Sequence, residues 1–228
     1  MSTAKQRIAR EVYDDLLPRW RSLGIFFATD YDRYADPERT ILDSLGVILH
    51  DAKMLYLISN WIREHGDLIH AERLLSLAKA KELSYEDRMT LGALANFAVT
   101  AGYKLDLIYR YAKTQIKKGR KIETSEHVAL PVVLGQSQPE PSFSKFGILV
   151  PEIIDLSSKI TDTKLITETN VWIRNRIFFG CNWRADIYTA LGRVKKNKPS
   201  TYRLAKDLGC SNETALRIRK SFELLGAA

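Results

Sequence analysis

The sequence predicts an all-α protein in which a helical N-terminal domain precedes a C-terminal module of three helices. Along most of the chain, apolar residues recur at steps of three and four, as they do on one face of an amphipathic helix. Polar capping residues and glycines stand where these runs begin and end. The stretches that could form short strands, HVALPVVL and FGILV, both lie between residues 119 and 150. These observations favour helices throughout the rest of the chain.

Composition indicates a globular intracellular protein. The 228 residues are 45% hydrophobic, which suffices for the core of one large or two modest domains. Two cysteines, Cys181 and Cys210, are too few for a disulfide framework or a four-ligand zinc site. Charged residues interrupt the longest apolar stretch, and the N-terminus lacks the apolar region of a signal peptide. We therefore predict a cytoplasmic location, no membrane contact, no metal and no cofactor.

Residues 1–118 are predicted to form one helical domain. Capping signals and glycines separate its helices, and Asp36 with Pro37 has the pattern of a helix start. The small residues of LGALANFAVTAG permit close packing of neighbouring helices, so the helix that contains them is predicted to be central. The predicted helices are Ala4 to Trp20, Glu38 to His65 as one helix or two, Leu68 to Ala80, Ser84 to Ala101, and 105 to 118.

Motifs for catalysis are not found in the sequence. Asp30 and Asp32 form an acidic pair like that of metal-dependent transferases, but acids are common in turns and no partner motif follows. His50, His65 and His70 do not have the spacing of a metal site. There is no phosphate-binding loop, no paired-glycine fingerprint and no serine elbow. We therefore predict that the protein is not an enzyme.

Residues 119–150 break the helical periodicity with prolines, glycines and serines, so we predict an irregular connection there. Its two strand-like stretches could pair or pack in extended form against helices. A C-terminal helical region is predicted for residues 151–228, beginning with a helix from Pro151 to about Lys159.

The next predicted helix, VWIRNRIFF, is capped by Thr169 or Asn170 and ends at Gly180. Its apolar residues are expected in the core and its arginines are expected to face a partner. The expected core residues are Trp172, Ile173, Ile177 and Phe178, and the arginines are Arg174 and Arg176.

The last three predicted helices form a compact module, with one helix over 183–196 and two within 201–220. Ser200 is expected to cap the second helix, Gly209 to end it in the left-handed conformation, and Ser211 or Asn212 to cap the third. The positions predicted to face inward are Ile187, Leu191, Val194, Leu204, Ala205, Leu208, Ala215, Ile218 and Phe222.

The alanine, glycine and apolar positions of Thr201 to Lys220 together resemble the helix-turn-helix family of bacterial DNA-binding regulators. The resemblance covers the last fifth to quarter of the chain. It implies a recognition helix that reads base edges in the major groove and a preceding segment that contacts phosphates. Many such proteins continue into a two-stranded wing, whereas this sequence ends at Ala228, so a helix-turn-helix module without a wing is expected. The expected base contacts are Ser211, Asn212, Glu213, Thr214, Arg217 and Lys220, and the expected phosphate contacts are Lys195, Lys196, Lys198, Thr201, Tyr202 and Arg203.

The positive charge of the chain is concentrated in the same part of the sequence. From Lys164 onward there are 13 Lys and Arg against 5 Asp and Glu, whereas residues 1–163 carry 22 of each. Lysine and arginine bind phosphate backbones largely by counterion release, so this distribution favours a nucleic-acid partner. The alternatives are a solvated basic surface and a helical hairpin that contacts protein.

A second stretch, NRIFFGCNWRADIYTAL, is similar to the junction in helix-turn-helix proteins that accompany bacterial nucleotidyltransferase toxins, as in abortive-infection antitoxin systems. This resemblance implies that the N-terminal helices bind a toxin. We therefore expect a transcriptional regulator that binds double-stranded DNA as a homodimer; the alternative is an antitoxin or adaptor whose helical N-terminal domain binds a toxin or another protein. The residues that carry the second resemblance are Asn175, Arg176, Gly180, Arg184, Ala185 and Asp186.

Overall fold

The computed structural model describes residues 3–117, 119–194 and 198–225, except for the side chains of residues 3–10 and 127. These residues form thirteen α-helices and no sheet, which confirms the all-α class, and the β pairing among them is limited to two isolated bridges. None of the described helices combines the length and the apolar character needed to cross a membrane. The helices are α1 (Thr3–Ser22), α2 (Pro37–Ile48), α3 (Ala52–His65), α4 (Ala71–Ala80), α5 (Tyr85–Thr100), α6 (Asp106–Lys113), α7 (Glu126–Val133), α8 (Pro141–Ser144), α9 (Thr163–Thr169), α10 (Val171–Phe179), α11 (Trp183–Arg193), α12 (Thr201–Leu208) and α13 (Asn212–Leu224), with 3-10 turns at Gly66–Leu68 and Ser157–Lys159.

The chain divides into two compact units at positions that differ from those expected from sequence. One unit combines residues 1–40 with 161–228, and the other contains residues 41–160. The expected divisions after residues 118 and 150 followed the loss of helical periodicity. Compact units are instead defined by contacts between segments that are distant in the chain, and a periodicity pattern does not report such contacts.

The unit of residues 41–160 is organised around α5, in which residues 89–98 are all buried. Ser84 begins this helix by accepting a hydrogen bond from the Asp87 backbone N–H at 3.0 Å. Gly92 allows two neighbours to pack against its backbone, because a Cβ atom there would lie 2.4 Å from Ala112 Cβ and 2.5 Å from a Phe146 ring carbon. The small residues of α5 therefore do permit close packing, as the sequence predicted.

Residues 119–150 contain more helix than expected and pack within the same unit. HVALPVVL forms most of α7, which follows Ser125 at its N-cap and buries Val128 completely. In FGILV, Phe146 and Gly147 lie in a turn, and the remaining residues follow Ile148, which forms an isolated bridge with Ile122. The Ile122 backbone N–H donates to the Gly147 carbonyl at 2.9 Å. The strand-like composition of the first stretch did not predict its structure, because β propensity reflects packing on a pleated sheet and the described residues form no sheet for this stretch to join.

Residues 151–159 do not form the expected helix, apart from the turn at Ser157–Lys159. The side chain of buried Asn60 binds this segment in an extended form. Its Nδ2 donates to the Ile154 carbonyl at 2.8 Å, and its Oδ1 accepts from the Leu156 N–H at 3.1 Å. These hydrogen bonds take backbone groups that a helix would have used for its own turns.

In the other unit, residues 1–40 contact the C-terminal helices at the N-terminus of α10. Asn170 caps α10 by accepting from the Ile173 N–H at 3.0 Å. The Nδ2 of the same side chain donates to Ser22 Oγ and to the Ala35 carbonyl, both at 2.9 Å. Asn170 is 1% exposed, so these hydrogen bonds are shielded from water. Residues 1–40 are thus bound directly to the C-terminal helices.

Candidate nucleic-acid interface

The last three helices, α11 to α13, enclose an apolar cluster to which Trp172 of α10 also contributes. Rings of Phe179 and Tyr188 extend the cluster at one side, with centroids 5.9 and 5.1 Å from that of Phe222. Eight of the nine positions predicted to face inward are buried, and Val194 is half-buried. The buried positions are Ile187, Leu191, Leu204, Ala205, Leu208, Ala215, Ile218 and Phe222.

A tight turn connects α12 to α13. Gly209 ends α12 in the left-handed conformation, with φ 82° and ψ 19°, and its N–H donates to the Ala205 carbonyl at 2.8 Å. Ser200 caps α12 through the Arg203 N–H, and Ser211 caps α13 through the Thr214 N–H. The predicted caps and the predicted glycine conformation are therefore confirmed, with Ser211 rather than Asn212 as the cap.

The residues expected to contact bases lie on the outer surface of α13 and in its first turn. Five of the six are exposed, and Thr214 is half-buried. The hydroxyl of Ser211 is occupied by the cap and by a 2.9 Å hydrogen bond to Thr214 Oγ1, so its part in the site is to fix the start of the helix. The five exposed residues are Ser211, Asn212, Glu213, Arg217 and Lys220.

Residues expected to contact phosphates cluster at the N-terminus of α12. Tyr202 and Arg203 are exposed, Thr201 is half-buried, and Lys198 is exposed just before the helix. The Arg203 guanidinium lies 3.7 Å from the Asp207 carboxylate, but a pair this exposed contributes little and leaves the guanidinium open to an anion. Lys195 and Lys196 lie outside the described residues.

A groove of about 460 Å³ separates the first turn of α11 from α13. Thr214, Arg217 and Ser221 line it from α13, and Trp183 and Arg184 line it from α11. The exposed Arg184 thus places a second guanidinium in the groove with that of Arg217. Sequence reasoning treated α11 as a support and did not single out Arg184, although the Asn182 cap before it indicated that this arginine lies in an exposed first turn.

The helix before the module, α10, is oriented differently from the sequence prediction. Ile177 and Phe178, expected in the core, are 54% and 81% exposed and lie on one face with Arg174. Arg176, expected to face a partner, is 2% exposed. Both expectations were wrong because the inward face of α10 is selected by a buried ionic cluster as well as by apolar residues.

That cluster consists of Arg176, Glu38 and Asp186, whose side chains are all 0% exposed. The guanidinium donates to both carboxylate oxygens of Glu38 at 2.7 Å, and to Asp186 Oδ1 at 3.1 and 2.8 Å. Burial alone would lower the pKa of Arg176, but the two carboxylates raise it well above its ordinary value. Arg176 therefore stays charged and holds α10, α11 and the start of α2 together.

The residues considered for catalysis are not brought together as a metal site. Asp32 Oδ1 accepts the Tyr34 backbone N–H at 3.0 Å, so this acid stabilises a turn, and Asp30 is exposed. Within the described ranges, no three His, Cys, Asp or Glu side chains are grouped closely enough to hold a metal ion.

Comparison with known proteins gives no relative: no family model, no curated protein and no solved structure matches this chain.

Proposed function

We propose that this protein is a transcriptional regulator that binds double-stranded DNA with α13 in the major groove. The observation that carries the proposal is the division of α13 into two faces. Its apolar residues close the core of a three-helix module, while Arg217 and Lys220 are exposed on the opposite side. A helix that packs in this way on two others can enter a major groove without losing its support.

In this proposal, the residues that read DNA bases differ from those that bind the DNA phosphate backbone. Arg217 is the principal base-reading side chain, because a guanidinium can donate two hydrogen bonds to the O6 and N7 of one guanine. Lys198, Tyr202 and Arg203 bind phosphates beside the groove, where a hydroxyl or cation is sufficient. Arg184 lies with Arg217 along the groove between α11 and α13 and adds a further phosphate contact.

The decisive experiment compares Arg217→Ala with the full-length protein on two duplexes. The first duplex is selected from a random pool by the protein itself, and the second has an unselected sequence. Loss of a bidentate contact costs about 1–3 kcal/mol, so affinity for the selected duplex should fall about 5-fold to 150-fold, with little change on the unselected one. Lys198→Ala should weaken both equally and flatten the salt dependence by about one unit of slope.

Arg110→Ala is the matched control for this experiment, since it removes one exposed arginine from α6 in the other unit. It should leave both affinities unchanged. If Arg217→Ala weakens both duplexes to the same extent, α13 is not the recognition helix. If the wild-type protein binds neither duplex at low salt, the DNA-binding proposal itself is wrong.

A homodimer belongs to this proposal. One short helix reads few bases, and two copies about 34 Å apart would read two half-sites on one side of the duplex. The N-terminal helices are the proposed dimer surface.

An antitoxin or adaptor function is the second candidate, and the exposed face of α10 favours it. Ile177 and Phe178 place two large apolar side chains in solvent beside Arg174, a composition typical of protein interfaces. Co-purification with the product of a neighbouring gene, abolished by Phe178→Ser, would support this function. A Phe178→Ser variant that retains the partner in full would contradict it.

A further inference from the structure

A pocket of about 350 Å³ lies between α10 and α11 and shares no lining residue with the α11–α13 groove. Arg174 and Asn175 line it from α10, and Tyr188, Thr189 and Gly192 line it from α11. Tyr34, Val171, Leu191, Val194 and Lys198 complete the lining. This volume is within the range of small-molecule sites.

The charge of the pocket favours an anion. Two of its lining residues, Arg174 and Lys198, carry positive charge, and none of its described lining residues is acidic. Both cations are exposed, so an anion can reach them from solvent. Tyr34 and Tyr188 add two aromatic side chains, against which a planar ring can pack.

Asn175 supplies a polar, well-positioned group to the wall of the pocket. Its side chain is buried, with 8% exposure, and its Nδ2 donates to Thr189 Oγ1 at 2.8 Å. The Thr189 hydroxyl donates in turn to the Ala185 carbonyl at 2.8 Å, so both groups are held in fixed orientation. The Asn175 side chain also lines the pocket, and its amide oxygen can accept a hydrogen bond from a ligand hydroxyl or amino group.

We propose that this pocket binds a small phosphorylated metabolite, of mononucleotide size or less. Its phosphate binds Arg174 and Lys198, a hydroxyl or amino group donates to Asn175, and its ring or sugar packs against the tyrosines. The site is distinct from the base-reading surface of α13.

Lys198 connects this pocket to DNA binding. The same side chain lines the pocket and is assigned to a DNA phosphate, so a bound ligand phosphate and the DNA backbone compete for it. The metabolite therefore weakens DNA binding. This regulatory step rests on the proposed function, whereas ligand binding itself does not depend on it.

Gly192 allows a steric test. A Cβ atom at this position would meet no atom within 4 Å, so a larger side chain has room there and competes with a ligand for the pocket. Gly192→Phe should occupy the pocket, and Gly192→Ala, which favours the helix and leaves most of the space, is its matched control. Arg174→Ala removes a cation without filling the pocket, with Arg110→Ala as control.

Binding is measured by titration calorimetry of the full chain with AMP, ribose 5-phosphate and adenosine. We expect AMP or ribose 5-phosphate to bind with Kd below about 1 mM, and adenosine to bind at least about tenfold more weakly than AMP. Gly192→Phe should abolish binding, Arg174→Ala should weaken it about tenfold, and both controls should bind as wild type does. Equal affinity for AMP in Gly192→Phe and Gly192→Ala, or no binding of either phosphate compound at about 10 mM, would overturn the site.

The regulatory step is tested separately, by titrating DNA in the presence of the bound compound. A fall in DNA affinity that disappears in Gly192→Phe supports it. Unchanged DNA affinity refutes the regulation, and absence of DNA binding altogether refutes the proposed function while the calorimetric result still decides the ligand site.

Discussion

Replacing Arg176 with methionine is the most severe test of the fold around α10. The substitution retains much of the side-chain volume but removes the guanidinium that donates to Glu38 and Asp186. Both carboxylates are 0% exposed and would stay in the interior without this partner. The variant therefore leaves buried charge that has lost its main compensation.

The expected cost follows from that geometry. Removing one member of a buried ion pair destabilises a protein by about 3–5 kcal/mol, because the remaining charge is neither solvated nor paired. Arg176 binds two carboxylates, so we expect the upper part of this range. For a unit of this size about 1 kcal/mol corresponds to roughly 4 °C, so a loss of about 4–5 kcal/mol gives a fall in Tm of about 16–20 °C. Arg176→Lys keeps the charge but loses the bidentate geometry, and its loss should be about half as large.

Urea denaturation, followed by circular dichroism and tryptophan fluorescence, measures these differences. The matched control is Arg174→Met, two residues away on the exposed face of α10, which should change the free energy of unfolding by less than about 0.5 kcal/mol. An Arg176→Met protein within about 1 kcal/mol of wild type would refute the buried cluster. So would equal losses for Arg176→Met and Arg174→Met.

Three further outcomes are expected. Gly92→Ala should lower the free energy of unfolding by about 1–3 kcal/mol in urea titrations, because the added Cβ would overlap Ala112 and Phe146. An unchanged urea midpoint of unfolding would contradict the close packing of α5. Ser211→Ala should lower the free energy of unfolding by about 1 kcal/mol because it removes the cap of α13, whereas Asn212→Ala should lower it much less. Equal losses of stability in the two variants would argue against Ser211 as the cap. Light scattering at micromolar concentration should give twice the 26.0 kDa chain mass, and a monomer both with and without DNA would disprove the dimer.

Local signals in the sequence predicted the C-terminal module well. A capping serine, a glycine at the end of a helix and apolar residues at helical spacing act over a few residues, so they can be read without knowledge of the fold. Ser200, Gly209 and Ser211 are examples, and the inward positions of α12 and α13 were identified by the same periodicity. The outward face of α13, and with it most of the candidate site, followed from these positions.

Features that depend on distant partners could not be read in this way. Periodicity alone placed Ile177 and Phe178 inside, but the inward face of α10 carries Arg176, whose partner Glu38 is 138 residues away. Likewise, the 151–159 segment has a helical start signal at Pro151, yet its conformation depends on the Asn60 side chain from α3. The pocket beside Asn175 also joins segments from three parts of the chain.

The construction of one unit from both ends of the sequence has a consequence for biosynthesis. Residues 41–160 can complete their unit as soon as they leave the ribosome, since all of its segments are then present. Residues 1–40 must wait, because the partners of Ser22 and Glu38 emerge more than a hundred residues later. At about 5–20 residues per second this delay lasts roughly 7–30 s, during which the apolar side of α1 has no completed core to enter. Trp20 and Leu16, fully buried in the finished protein, are therefore among the apolar side chains that the nascent chain leaves exposed during this delay.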